Sequence, residues 1–414
     1  MLNNLKLALT FGLGLAHVTQ ALPAYAQQET APGWASNGQA LYFQTNEKEN
    51  AIVSVKIHAN GTLSEGIMTY TNGTGASMLS AATNMTASPD GLSSQGAVAV
   101  AGHSLFAVNA GDNTVSMFNI NPEDPTNITL LGMPASVPGD FPVTVSASEL
   151  NNLVCVGTSG STGGVACAPY SPFVGIGKMD FLRSFDLDQE PVPAGPLDTV
   201  GQVRFSEDES QLLVTVKGNP AANKTGFLAA FTVGGSCLTG EAKVSAASIE
   251  STLNGTVALF GFEQIAQSNR YFVADPAYGV AIVSVDEKTD SSLLLHKQAV
   301  PNQMATCWAA ISPASNSAFV TDPLVNHIVE LSLVDASVIS VVNTTSSNDA
   351  TGYTDLTAAG NFVYALSPGT QENSSAEIAV LSVGEWKNSS IIQSFNLGSM
   401  AGSSAQGLAV FPAY

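Results

Sequence analysis

Short apolar runs alternate with polar turns along most of the chain. The runs are rich in Val, Ile, Leu, Phe and Tyr, and they are bounded by Gly, Asn, Asp and Ser. Helical periodicity is scarce beyond the N-terminal segment. This pattern is typical of an all-β protein built from short strands.

The apolar runs recur as one unit: a short strand, a polar turn, a second strand, a Gly/Asn/Asp turn and a third strand. A clear example is "QGAVAVAGHSLFAVNAGDNTVSMFNI". A repeat of about fifty residues with four short strands is typical of β-propeller blades. The sequence therefore predicts an all-β, seven-bladed β-propeller, and a two-sheet sandwich array is the alternative. The seven units begin at Ala40, Gln95, Phe141, Gly201, Leu259, Thr306 and Tyr353.

The two ends of the repeat array complement each other. The stretch "SAQGLAVF" (residues 404–411) resembles "SSQGAVAV" (residues 93–100), which opens a unit, but no second strand follows it. The first unit begins instead at a second-strand motif, "LYFQ". We therefore expect the C-terminal strand to complete the first blade and close the ring, which leaves no open sheet edge there.

The N-terminus has the pattern of a cleaved secretory signal. Lys6 precedes an apolar run over residues 7–16, and Ala24-Tyr25-Ala26 forms an A-x-A site. A membrane anchor is the alternative, but the apolar run is shorter than the ~20 residues that span a bilayer. The predicted organisation is a signal peptide (1–26), an N-terminal extension (27–37) and the propeller (38–414). Such a protein is secreted, to the extracellular space or the cell wall.

Composition and charge narrow the functional classes. The chain of 414 residues is 45% hydrophobic, which is enough for a large core. It has 13 Lys and Arg against 33 Asp and Glu, and an acidic surface is unsuited to nucleic acid or an anionic membrane. We expect no membrane span beyond the signal. No metal or cofactor motif is present, so we expect neither group. We also expect a monomer.

Glycosylation sequons agree with export. Nine N-x-S/T sequons occur in polar stretches that are typical of loops, where a glycan can face water. They predict a heavily glycosylated surface. The asparagines are Asn60, Asn72, Asn84, Asn127, Asn223, Asn254, Asn343, Asn373 and Asn388.

Four cysteines suit disulfides in an oxidising compartment, and three pairings are open. Cys155 and Cys167 lie on the predicted second and third strands of one unit and flank "GTSGSTGG". This loop lacks the Lys-Ser/Thr end of a P-loop, so we interpret it as a hairpin turn rather than a phosphate site. A Cys155–Cys167 disulfide then fits neighbouring strands, which leaves Cys237 to pair with Cys307.

Several stretches resemble a known family. "TCWAAISP", "LFGF" and units of the "LFAVNAGDNTVSMF" type are similar to the lactonase-like seven-bladed propellers. These include the 3-carboxymuconate cyclases and bacterial 6-phosphogluconolactonases. "FSEDESQLLVTVKGNPA" and "KMDFLRSFDL" resemble secreted fungal proteins described as 3-carboxymuconate cyclase-like. The resemblance covers residues 38–414 and implies a central ligand pocket.

The resemblance also implies an activity. A muconate cyclase adds a substrate carboxylate to an alkene and protonates the resulting centre, which requires cations and a general acid. A lactonase requires a polarised carbonyl and an activated water. The expected ligand is a small carboxylate or lactone. The family's general acid is often a histidine or a carboxyl. His58, His103, His296 and His327 all lie away from the predicted inner strands.

The innermost strand of each blade lines the central channel with alternate side chains. Arg204 interrupts the apolar strand "QVRFS", and a charge there needs a partner, water or a ligand. It is either a clamp for a ligand carboxylate or half of an ion pair with Glu263 or Asp355. The polar and aromatic candidates on these strands are Gln95, Gln202, Arg204, Glu263, Gln264, Trp308, Asp355 and Gln406.

Individual channel residues have alternative roles. Glu263 is the candidate general acid or base, if apolar neighbours such as Phe260 raise its pKa. Trp308 is either a stacking platform or a blade-packing residue. Gln202 and Asp355 are further candidate ligand contacts, and Asp355 alternatively ties neighbouring inner strands through backbone N–H groups.

A long connection after Cys167 carries Lys178 and Arg183 in "GKMDFLRSF". With Arg204 and Lys217 they concentrate positive charge in one part of an acidic chain. We expect a positive patch at the channel rim that contributes ligand contacts. The alternative is a solvated loop or an irregular outer strand.

Two functions remain open. The first is an extracellular lactonase or cycloisomerase-like enzyme with Arg204 as the clamp and Glu263 as the acid or base. The second is a non-catalytic binding or adhesion propeller with a cell-wall or host-surface partner. An enzyme predicts an open pocket around Arg204 and a carboxyl, whereas a scaffold predicts a closed channel with paired charges.

Overall fold

The strands of the computed structural model form a seven-bladed β-propeller, which confirms the predicted fold class. Helical structure in the described residues is limited to two 3-10 turns, Pro220–Ala222 and Gly398–Met400. Nor does this part of the chain contain a helix long and apolar enough to cross a membrane. The structure describes residues 39–235, 242–344, 352–369, 374–384 and 388–413.

Each blade is an antiparallel sheet whose strands run in order from the channel outward. Blade 1 contains Gln406–Phe411, Ala40–Gln44, Ala51–Ile57 and Leu63–Tyr70. Blade 2 contains Val98–Ala101, Ser104–Asn109, Thr114–Ile120 and, at its outer edge, Ile128–Leu130 and Ala135–Ser136. Blade 3 contains Pro142–Ser148, Leu153–Thr158, Gly164–Ser171 and the edge pieces Gly175–Ile176 and Arg183–Ser184.

The remaining blades follow the same order. Blade 4 contains Val200–Phe205, Gln211–Val216, Phe227–Gly234 and the edge pieces Lys243–Val244 and Ile249–Ser251. Blade 5 contains Phe262–Gln264, Arg270–Asp275, Gly279–Val285 and Ser292–Ala299. Blade 6 contains Trp308–Ser312, Ser317–Asp322, Val325–Ser332 and Val338–Asn343. Blade 7 contains Leu356–Ala359, Phe362–Ser367, Glu377–Ser382 and Ser390–Asn396.

The C-terminal strand closes the ring as predicted. Gln406–Phe411 is the inner strand of blade 1 and pairs antiparallel with Ala40–Gln44, so that Phe411 lies opposite Ala40. The backbone N–H of Gln39 extends this pairing by donating to the Phe411 carbonyl at 2.8 Å. Blade 1 is therefore built from both ends of the described chain.

Burial explains the continuous apolar runs. Second strands such as Gln211–Val216 are buried at every position because a neighbouring blade covers each face of the sheet. Outer strands such as Ser390–Asn396 alternate between exposed and half-buried residues. Burial thus decreases from the second strand to the outer strand of a blade.

The propeller has two faces, which differ in the connections they carry. We call the face with the connections from each outer strand to the next inner strand the link face. The opposite face, with the turns between inner and second strands, is the turn face. Two long links contact each other on the link face, where Leu79–Ser80 pairs in parallel with Ala194–Gly195.

The structure contains the Cys155–Cys167 disulfide. The two residues lie directly opposite each other on the second and third strands of blade 3, with their Cα atoms 4.1 Å apart. Cys307 is buried and has a free thiol, which differs from the expected second disulfide. Its expected partner, Cys237, lies outside the described residues.

Replacing both Cys155 and Cys167 with alanine is expected to lower the free energy of unfolding by about 2–4 kcal/mol, because the unfolded chain gains loop entropy. Urea unfolding of the purified protein measures this change. Wild type treated with a reductant should show the same loss. Equal midpoints for the variant and the oxidised wild type would contradict the prediction.

Candidate functional site

The link-face end of the channel is occupied by residues 89–96, which we call the axial segment. The Gln95 side chain exchanges two hydrogen bonds with the Ala309 backbone, at 2.8 and 3.1 Å. The Ser94 hydroxyl donates to the Val143 carbonyl at 2.7 Å. The axial segment therefore connects the inner strands of blades 3 and 6 across the axis.

Trp308 packs at this end of the channel. Its side chain is fully buried, and its indole N–H donates to the Ser94 carbonyl at 3.1 Å. The Phe260 ring lies edge-on to it at 5.2 Å. The structure therefore gives Trp308 the packing role rather than that of a ligand platform.

Three further candidates connect backbone segments near the axis. Gln202 accepts a hydrogen bond from the Phe262 N–H at 2.6 Å, and Gln406 donates to the Pro89 carbonyl at 3.2 Å. Asp355 is 1% exposed and accepts from the Leu356 N–H at 2.8 Å. Burial raises the pKa of Asp355 well above its usual value, and backbone N–H groups only partly offset this.

A buried lysine fixes the axial segment to blade 4. Lys217 is 2% exposed, and its ammonium donates to the carbonyls of Ser93 and, at 3.1 Å, Val200. It also lies 4.3 Å from the centroid of the Phe260 ring. Burial lowers the pKa of Lys217, although the nearby Asp90 carboxyl opposes the shift.

Asp90 is the acidic partner in this cluster. It accepts a hydrogen bond from the Ser93 N–H at 2.8 Å. Burial raises the pKa of Asp90, and the Lys217 charge opposes that rise. Asp90 and Lys217 thus fix the axial segment through hydrogen bonds to Ser93 and through the attraction between their charges.

Arg204 and Glu263 form an ion pair between adjacent inner strands. The Arg204 guanidinium donates to a Glu263 carboxylate oxygen. The side chains are 34% and 22% exposed, so solvent reaches both. Burial raises the pKa of Glu263, and Arg204 lowers it by a smaller amount. The structure thus brings the two predicted catalytic residues together. They form an ion pair, which was one of the two roles expected for Arg204.

The predicted positive patch at the channel rim is not formed by the described residues. Arg183 is 5% exposed at the outer edge of blade 3, where it pairs with Asp180 at 2.8 Å. It also donates to the Val244 and Ser245 carbonyls of blade 4. Lys178 is exposed near the same outer edge. The connection after Cys167 therefore forms an irregular outer strand of blade 3, which was part of the alternative interpretation.

The sequence interpretation missed the role of Asp90 and misplaced Lys217. One signal was available, because Lys217 follows the continuous apolar run "LLVTV" and precedes a Gly-Asn turn. A cation at the end of a fully buried strand has to find carbonyl or carboxylate partners inside the fold.

No family model and no curated protein matches the chain. Solved structures do match. The periplasmic gluconolactonase of Pseudomonas aeruginosa is 15% identical with a TM-score of 0.61, over 89% of this chain and 98% of its own. A candidate 6-phosphogluconolactonase of Bacteroides fragilis is 11% identical with a TM-score of 0.59, over 92% and 99%. The chain has the gluconolactonase-like propeller fold.

The gluconolactonase-like fold is shared more widely. A protein of unknown function from Desulfotomaculum acetoxidans is 11% identical with a TM-score of 0.56, over 90% of this chain and 98% of its own. At such identities the match establishes the fold alone. The activity depends on the chemistry of particular residues rather than on the fold.

Proposed function

We propose that the protein is a secreted glycoprotein that hydrolyses a small lactone at the Arg204–Glu263 pair. The observation that carries the proposal is a solvent-accessible charged pair on two adjacent inner strands, in a channel whose other end holds the axial segment. Solvent reaches both charged groups, so a small ligand can contact them. The gluconolactonase-like fold of the matching structures supports a lactone as the ligand class.

Both residues have chemically suitable roles. Arg204 donates to the lactone carbonyl oxygen, where negative charge develops. Glu263 accepts a proton from a water molecule as the water oxygen bonds to the carbonyl carbon. The ring C–O bond then breaks, and Glu263 returns the proton to the departing alkoxide. One lactone and one water give one hydroxy acid, with no other reactant.

Charge favours a lactone over a muconate. The formal net charge is −20, so the protein repels a multiply anionic muconate more than a neutral lactone. The pair could still serve a cyclase-like reaction, with Arg204 on a carboxylate and Glu263 as the acid. A muconate therefore belongs in the substrate panel as the second choice.

Sequon placement supports the secreted, glycosylated state. The asparagines of all eight described sequons are exposed, and Asn373 lies outside the described residues. A disulfide in blade 3 agrees with an oxidising compartment. The described asparagines are Asn60, Asn72, Asn84, Asn127, Asn223, Asn254, Asn343 and Asn388.

Glu263→Gln is expected to lower kcat/KM for the preferred lactone by about 100-fold or more, because the general base is lost. Arg204→Ala is expected to cause a similar loss, and Arg204→Lys a smaller one. Hydrolysis of gluconolactone, 6-phosphogluconolactone and a muconate is measured after subtraction of the spontaneous rate. Glu250→Gln, on the exposed outer edge of blade 4, is the matched control.

The pH profile provides a second readout. Because the pKa of Glu263 is raised, its ionised form appears at a higher pH than for an ordinary carboxyl. Below that pH the protonated group cannot accept a proton, so wild-type activity rises with pH through the raised value. A Glu263→Gln variant with wild-type rate and profile would exclude the proposed base.

A non-catalytic binding role is the second candidate. The specific observation in its favour is the direct pairing of Arg204 with Glu263, because a satisfied ion pair can be purely structural. This candidate predicts no turnover across the panel. It also predicts that Arg204→Ala lowers the melting temperature without changing the binding of any panel compound.

A further inference from the structure

A cleft lies on the turn face between blades 4 and 5, away from the axial segment. Its walls are the turns over residues 206–210 and 265–269 and the loop over residues 286–291. The volume of this cleft is about 540 Å³. A space of this size accepts a small organic molecule.

The floor of the cleft carries a tyrosine hydroxyl. Tyr271, on the second strand of blade 5, is 2% exposed and lines the cleft. Its ring packs edge-on to Phe262 at 6.0 Å. Its hydroxyl has no hydrogen-bond partner among the residues that the structure describes. The hydroxyl of this otherwise buried side chain therefore takes its hydrogen bonds from solvent or from a ligand in the cleft.

The walls of the cleft are acidic. Glu207, Asp208 and Glu287 line it, and its described lining includes no Lys, Arg or His. Burial acts to raise the pKa of Asp208, but hydrogen bonds from Ser206 and Ser210 together lower it. The carboxylate therefore stays ionised at neutral pH. Asp208, Glu287 and Glu207 act on the Tyr271 hydroxyl with negative charge, and the nearby Arg204 cation opposes them.

The arrangement of the acids favours an organic cation over a metal ion. Across the described residues, no three His, Cys, Asp or Glu side chains converge as a metal-binding group. Carboxylates distributed around a cleft of this size suit ammonium groups that are separated along one molecule. The Tyr271 hydroxyl adds a neutral hydrogen-bonding partner.

Sequon positions leave this cleft accessible. On the turn face, the described sequon asparagines are Asn60, Asn127 and Asn388, which belong to blades 1, 2 and 7. The described sequons that follow strands of blade 4, Asn223 and Asn254, lie on the link face. Glycans at these positions would not cover the turn face of blades 4 and 5.

We propose that the cleft between blades 4 and 5 binds a small organic cation with primary ammonium groups, such as a polyamine or an amino-sugar oligomer. Tyr271 and Glu287 bind the ligand, and Asp208 contributes charge. Neither Arg204 nor Glu263 lines this cleft, so it is a different site from the proposed catalytic pair, although the Arg204 charge acts on Tyr271.

Calorimetric titration of the full secreted protein tests the site with spermidine and with a glucosamine disaccharide. We expect binding that weakens as salt rises, because exposed charges are screened. N,N′-diacetylation of the disaccharide should abolish binding by removing both charges. Tyr271→Phe, which keeps the ring against Phe262, is expected to weaken binding by about fivefold, the value of one hydrogen bond.

Glu287→Gln is expected to weaken binding by about tenfold through loss of a charge-assisted contact. Asp335→Asn, in a turn-face loop of blade 6, is the matched control and should leave affinity unchanged. Binding of spermidine alone, the disaccharide alone or both supports the site and identifies the ligand source. Glu263→Gln removes no residue that lines the cleft and should weaken binding less than Glu287→Gln does, which separates this site from the proposed catalytic pair.

Three results would overturn the inference. The first is no binding of either amine at low salt. The second is equal binding of the acetylated disaccharide. The third is wild-type affinity in both Tyr271→Phe and Glu287→Gln, with unchanged melting temperatures showing that both variants are folded.

Discussion

Replacing Lys217 with methionine is expected to lower the free energy of unfolding by about 3–5 kcal/mol. Methionine fills a similar volume, but it leaves the Ser93 and Val200 carbonyls without their donor and Asp90 without its cation. A buried polar group that loses its partner keeps the full cost of its desolvation. Urea unfolding followed by tryptophan fluorescence measures the loss.

Lys297→Met is the matched control. Lys297 makes the same two kinds of contact, with the Gly255 carbonyl and with the Tyr278 ring at 3.7 Å, but it is exposed. We expect a change below about 1 kcal/mol there. Adding Asp90→Asn to Lys217→Met should recover part of the loss, because no carboxylate is then left unpaired. Equal stability of the Lys217 and Lys297 variants would show that burial does not determine the cost.

Deleting residues 404–414 is expected to prevent recovery of a folded monomer. The strand Gln406–Phe411 buries Leu408, Val410 and Phe411, each 6–7% exposed. Burying such side chains contributes about 1.5–3 kcal/mol apiece, so three approach the total stability of a typical domain. The deletion also leaves Ala40–Gln44 as an unpaired edge that can bind other chains. Size-exclusion chromatography should show aggregates.

A circular permutant provides the control for that deletion. Joining residue 413 to residue 39 and opening the chain between Gly398 and Ser399 keeps the strand, because Phe411 already lies opposite Ala40. Both new ends are exposed, where chain breaks are tolerated. We expect a monomer with a near-wild-type melting temperature. Truncated protein that melts like the permutant would show that ring closure contributes little.

The fold could be predicted because its signals are local and repeated. Each blade repeats apolar runs and Gly/Asn/Asp turns, and the repeat leaves one inner strand over at the C-terminus. The facing positions of Cys155 and Cys167 follow from a hairpin, which is also local. Such features need only strand period and turn chemistry.

The site was harder to predict because its contacts join distant parts of the chain. Arg204 pairs with Glu263, one repeat away, and this was one of the alternatives that the repeat allowed. The bond between Gln95 and Ala309 spans 214 residues. The repeat pattern does not predict a hydrogen bond over this sequence separation. Arg183 was misplaced for the same reason, since its partner carbonyl, that of Ser245, belongs to the next blade.

Ring closure also orders the events of biosynthesis. Of the described strands, the ribosome makes Ala40–Gln44 first and Gln406–Phe411 last, yet the two are neighbours in blade 1. Ala40–Gln44 therefore lacks its inner-strand partner until all the intervening blades have been translated. A chaperone that covers this edge in the nascent chain would therefore protect the protein for longer than one that binds any later blade.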